Sequence, residues 1–183
     1  VDWIFDGGRP CIDLVNTRRN RHLDGYELLT DPARLAEWLV LAGHVERPQR
    51  VTAEDLALAI DLREAVDRLT RGTVQAADVR LVNRIAAQVP VPQLRIEDDG
   101  PRRVMRSSAG PVRTALAELA ADAIDLVTAG SLVRICAFDD CGVRFHDTSP
   151  KHNRQWCSMA RCGNRAKARA HYARRKRPSS STQ

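Results

Sequence analysis

Four of the five cysteines crowd into one short stretch: Cys136-x4-Cys141, fifteen intervening residues, then Cys157-x4-Cys162. Each short loop lets two sulfurs turn the same way, and two such pairs facing each other supply the four soft, tetrahedral ligands that Zn²⁺ prefers. Four protein ligands leave no open position for water, so such a zinc holds a fold together and does no chemistry of its own. Disulfides are a competing use. The opening Val1-Asp2-Trp3-Ile4-Phe5 has no charged region followed by an apolar stretch and a cleavage site, so the expected setting is a reducing bacterial cytoplasm, where disulfides are rare. A third use is release of metal when the thiolates oxidise, favoured by positive neighbours such as Arg161. His146 and His152 lie near enough in sequence to replace a sulfur, whereas Cys11, alone beside Ile12, reads as a small buried hydrophobe.

The charge distribution isolates the same region. Residues 1–130 carry 17 Lys+Arg against 20 Asp+Glu, a net −3, while residues 131–183 carry 12 against 3, a net +9. Positive charge at that density attracts polyanions, and no apolar run reaches the ~18 residues that a membrane-spanning helix needs.

Before residue 130 the pattern is mostly helical. Asp31-Pro32 caps and opens a helix over 32–43, with Leu35, Trp38, Leu39 and Ala42 at helical spacing. Thr52 and Asp55 form a capping box ahead of Leu56, Ala59, Ile60, Arg63, Val66 and Leu69. A third helix covers 76–88, and an Ala/Leu-rich one opens at Pro111 and closes at Gly130. Between the last two, Leu94-Arg95-Ile96 and Arg103-Val104-Met105-Arg106 alternate around an Asp99-Gly100 turn, the mark of a hairpin. The segment Cys11–Thr17 is too short to assign to helix or strand by period. The expected fold class is therefore mainly α (α+β): a helical N-terminal domain with a small β-hairpin over 1–130, a treble-clef-like zinc finger of hairpin and basic helix over 131–178, and a disordered tail at 179–183.

The finger itself reads as strand, tight turn at Gly142, strand, and then a helix capped by Ser158 that carries Cys162 in its first turn. From Met159 to Arg177 that helix has no proline, and eight of its nineteen residues are basic. Arg161, Arg165, Arg169 and Tyr172 share one face, and Ala166, Ala168, Ala170 and Ala173 keep the rod slim enough to approach a phosphate backbone. Arginine forks suit phosphates and guanine edges, and Asn164 suits adenine. The candidate nucleic-acid contacts are Arg154, Arg161, Asn164, Arg165, Lys167, Arg169, Arg174 and Arg175.

The motifs Phe145-x-Asp147-x-Ser149, Arg154-x-Trp156-Cys157-Ser158-Met159 and Cys162-Gly163-Asn164-Arg165-x-Lys167-x-Arg169 resemble the CGNR zinc finger. Ile12-Asp13-Leu14-Val15-Asn16-Thr17 resembles the start of the ABATE domain, whose proteins are described as stress-induced transcription regulators. The resemblance implies one structural zinc at the four cysteines, DNA binding by the basic finger, and a sensing or regulatory role for the N-terminal domain. Asp13 and Asn16 are then candidate residues of an effector pocket, although hydrogen bonding at a turn or helix end is the favoured account of them. The expected partners are double-stranded DNA, a small-molecule effector and a second copy in a homodimer, with no membrane. An RNA-binding or ribosome-associated zinc protein uses the same charges, and a redox-responsive zinc protein the same sulfurs. No phosphate loop, dinucleotide fingerprint or nucleophile elbow points to an enzyme.

Overall fold

A computed structural model describes residues 3–21, 23 and 25–176, the side chains of Arg175 and Lys176 excepted, so the tail expected at 179–183 and the predicted contact of Arg175 lie outside the described residues. Among these residues the helices are α1 (Pro10–Val15), α2 (Pro32–Leu41), α3 (Ala53–Thr70), α4 (Ala76–Ala86), α5 (Pro111–Thr128) and α6 (Asn164–Lys176). The strands pair in three antiparallel hairpins: β1 (Arg18–Arg19) with β2 (Tyr26–Glu27), β3 (Val91–Glu97) with β4 (Gly100–Arg106), and β5 (Val133–Ile135) with β6 (Arg144–His146).

The caps legible in the sequence do their work. Asp31 accepts the Arg34 N–H, and Thr52 and Asp55 close a reciprocal capping box on α3. The short stretch of ambiguous period is α1, opened by Pro10, and most of it is buried: Cys11, Ile12, Leu14 and Val15 are fully inaccessible. Only six residues long, α1 holds its shape because it is wedged against α3, α5 and β6, not through any intrinsic preference. Its start is fixed by Asp122 of α5, which accepts the Cys11 N–H at 2.9 Å and pairs with Arg9 at 2.7 Å.

Arg63 falls on the apolar face of α3 and is buried with its charge. Its guanidinium forks onto both oxygens of Glu27 at 2.6 and 2.7 Å, bonds Glu64 at 2.9 Å and reaches the Thr17 hydroxyl at 3.2 Å. Full pairing is what makes such a site tenable, since an unmet buried charge costs several kcal/mol.

The two units meet along β6. Asn16, buried at the end of α1, donates to the Arg144 carbonyl and accepts the Arg144 N–H, both at 2.9 Å. Arg144 in turn pairs with Asp67 of α3 at 2.7 Å, and the His146 N–H donates to the Gly7 carbonyl at 2.8 Å. The β3–β4 ribbon, by contrast, stands away from the core, with Leu94 and Ile96 more than two-thirds exposed.

Candidate metal centre and nucleic-acid interface

β5 and β6 deliver the first two sulfurs. The Cys136 N–H bonds the Val143 carbonyl at 2.8 Å, and the Cys141 N–H turns back to Phe138 at 2.9 Å. Gly142 completes the turn at φ +60, a conformation costly for residues with a Cβ. The second pair brackets the start of the long helix. Ser158 caps it, accepting from the Arg161 N–H, and the Cys162 and Gly163 N–H groups both donate to the Ser158 carbonyl at 3.0 Å. The result is a wide π turn over Met159–Gly163 in place of the α-helical first turn that the sequence suggests, and it carries Cys162 inward.

The four sulfurs converge. The Sγ atoms of Cys136, Cys141, Cys157 and Cys162 all lie within 4.8 Å of one another, and the Cys141–Cys157 and Cys157–Cys162 pairs are each 3.7 Å apart. A tetrahedron with Zn–S bonds of ~2.3 Å has edges of about 3.8 Å, so the spacing is that of ligands around one ion, and far from the S–S bond of a disulfide. All four cysteines are unbridged; three are buried and Cys141 is half-buried. Their electrostatics suit a cation. Hydrogen bonding with Cys157 pulls the Cys141 thiol down to about 5, whereas burial, with hydrogen bonding to Cys141, pushes Cys162 up to about 12. Sulfurs this close cannot all ionise unless a positive ion sits among them. The centre is a structural zinc site.

Around it, Phe138, Val143 and Phe145 form a small core, covered in part by Trp156, Ala166 and, from the other end of the chain, Ile4. Asp147 is buried and accepts from the Ser149 N–H at 3.0 Å, the Ser149 hydroxyl at 2.6 Å and the Arg154 N–H at 3.0 Å, which pins the loop between the two cysteine pairs. Arg154 turns inward. Its guanidinium lies 4.7 Å from the Phe145 ring centroid and donates to the carbonyls of Trp156 and Cys157. Buried Arg19 of β1 lies within electrostatic reach of Cys141 and Cys157, positive charge that offsets the excess negative charge of a four-thiolate site. No local signal marks Arg19, because only the fold brings it to the sulfurs.

The basic residues divide by environment. Arg161 pairs with Asp6 at 3.0 Å. Arg165 and Arg169 stack over Phe138 at 4.3 and 4.9 Å from the ring centroid, and Arg169 also faces Asp139 at 3.2 Å and Asp140 at 3.9 Å. The face expected to meet phosphates thus folds partly over the first cysteine loop. Asn164, Lys167 and Arg174 are exposed, and from Lys167 to Arg174 every residue is exposed, including Ala168, Ala170 and Ala173. Asp13 and Asn16 both have partners within the protein: Asp13 accepts the Gly7 N–H at 2.8 Å, and Asn16 is taken up by the Arg144 backbone. No helix among the described residues is long and apolar enough to cross a membrane.

Comparison with known families places both units. The ABATE family, described as "Putative stress-induced transcription regulator", matches residues 8–130, and the CGNR zinc finger matches residues 133–175. No curated protein matches the chain.

Proposed function

Because the chain belongs to the ABATE family and ends in a CGNR zinc finger, we propose that it is a transcription regulator whose zinc-held helix α6 binds duplex DNA under the control of the helical N-terminal unit. One observation carries this reading: α6 holds no acidic residue and leaves even its alanines bare from residue 168 onward. Beyond Ala166 and the arginines stacked on Phe138, the helix has no apolar face to bury, and its charge suits a polyanionic partner. The zinc site fixes the helix at its root, so the rod is presented at a set angle. The slim alanine positions favour entry into a groove, where Arg165, Arg169 and Asn164 would reach base edges and Lys167 and Arg174 the phosphates. Cytoplasmic thiol-reducing conditions keep the four ligands competent for zinc.

Two carboxylates that a hydrolase could have used are engaged otherwise, which supports a regulator: Asp147 pins a loop and Asp13 holds Gly7. The test is competition binding with fluorescent duplex DNA selected from genomic fragments. Wild type should prefer a particular duplex over bulk DNA, and an Arg165→Ala/Arg169→Ala variant should lose that preference with zinc content unchanged. If about six phosphates are neutralised, log K should fall with log salt at a slope near −5. Preference for structured or single-stranded RNA would overturn the reading in favour of an RNA-binding module.

A further inference from the structure

A polar cavity of about 240 Å³ opens at the seam between α3 and β6, lined by Arg18, Arg21, Arg71 and Arg144 against Glu64 and Asp67. Among the described residues that line it, four guanidiniums face two carboxylates, and the two acids are already claimed. Glu64 is held by Arg21 at 2.7 and 3.0 Å and by Arg63 at 2.8 Å. Asp67 is approached by Arg144 at 2.7 Å, Arg71 at 3.1 Å and Arg21 at 3.9 Å.

Several donors are left over. The Nε of Arg21 is buried without an acceptor. The Arg144 side chain is only 8% exposed, and the ion pair that it forms with Asp67 runs through its Nε. Arg18 forms no ion pair among the described residues. Buried guanidinium donors are rarely left unmet, and net positive charge in a polar cavity is met by an anion.

We infer that this cavity binds a small oxyanion, phosphate or carboxylate, held between the helical unit and the finger. Its volume corresponds to about eight water molecules, enough for inorganic phosphate or a short dicarboxylate. Guanidinium forks match the oxygens of either group in paired hydrogen bonds. The ligand would be grasped from both units at once, by Arg18 and Arg21 after α1, Arg71 beyond α3 and Arg144 on β6. Any effect of the anion on DNA affinity rests on the function proposed above; the site itself does not.

The experiment is calorimetric titration of the zinc-loaded full chain, without DNA, using inorganic phosphate and, separately, succinate at constant ionic strength. One or both should bind saturably at one site, and the tighter of the two identifies phosphate or carboxylate as the natural group. Arg18→Gln, at an exposed position, should weaken binding by about tenfold, the loss of one charge-assisted contact, with circular dichroism and zinc content unchanged. Arg174→Gln on α6 should leave it as in wild type. Absence of saturable binding by either anion, undiminished binding by Arg18→Gln, or loss of binding in Arg174→Gln would overturn the site. Because no nucleic acid is present, failure here leaves the DNA-binding reading intact, and failure of DNA binding leaves this site intact.

Discussion

Asn16 and Arg144 stand 128 residues apart in the chain, yet the Asn16 side chain pairs with the Arg144 backbone through two 2.9 Å hydrogen bonds, as a neighbouring strand would. The amide thereby satisfies both main-chain groups of a buried strand residue that has no further strand beside it. Asn16→Leu would strand that N–H and C=O away from water, at a cost of about 2–4 kcal/mol. Asn16→Asp, which keeps the acceptor but buries a carboxylate oxygen against the Arg144 carbonyl, should also destabilise at neutral pH. Urea unfolding measures both, and a loss below about 0.5 kcal/mol in Asn16→Leu would refute the role.

Elemental analysis should find one zinc per chain, and chelation should unfold the finger while α2–α5 persist. The finger has little core beyond Phe138, Val143 and Phe145, so the metal contributes on the order of 10–16 kcal/mol to its folding. In nitrogen–proton spectra, Cys157→Ser should collapse the resonances of residues 133–176 and spare those of α3 and α5. A reduced, metal-free protein with a folded finger would contradict the centre.

Asp139 and Asp140 pair with Arg169, and under the proposed function they would compete with phosphate for it. Asp139→Asn/Asp140→Asn should therefore raise duplex affinity a few-fold at low salt, with the gain fading as salt screens the exposed pairs. Arg154→Ala should act differently, lowering the stability of the finger because the carbonyls of Trp156 and Cys157 lose their donor. If Arg154→Ala weakened DNA binding with stability unchanged, its place would be at the interface after all. Anisotropy titrations paired with thermal melts separate the two outcomes.

Two carboxylates give opposite pH signatures. Burial, with Asp6 and Asp122 nearby, pushes Asp13 up to about 7 despite the hydrogen bond from Gly7. Its contribution is fully present below 3.8 and is lost as pH rises through about 7. Glu64 is also penalised by burial, but the Arg21 and Arg63 guanidiniums outweigh this and hold it down at about 2, so its contribution is present above 4.5 and is lost as pH falls through about 2. Asp13→Asn should match wild type in acid and exceed its melting temperature above neutrality, while Glu64→Gln should flatten the acid limb. A pH-independent gap between Asp13→Asn and wild type would rule out the ionisation as the cause.

Local chemistry made much of this molecule readable in advance. Asp31-Pro32, the Thr52–Asp55 box and Asp99-Gly100 announce their elements because capping and turns act over a few residues. The cysteine pairs were equally plain, since ligand spacing is a short-range property. What stayed hidden depends on contacts between distant parts of the chain. α1 is helical only because its neighbours enclose it, and the inward turn of Arg154 depends on where Phe145 lies. A basic side chain destined for Phe138 and one destined for solvent look alike along a helical wheel, so Arg165 and Lys167 could not be told apart.

The residues ahead of α1 close over the far end of the chain: Ile4 packs on the finger core, Asp6 holds Arg161 and Gly7 bonds His146. The finger is therefore not a portable cassette. Excised at residue 131, or transplanted onto a foreign partner, it would arrive without its lid, with the root of α6 released from Asp6. Recombination that exchanges such fingers among relatives would have to carry the segment from Ile4 to Gly7 along or evolve a substitute for it.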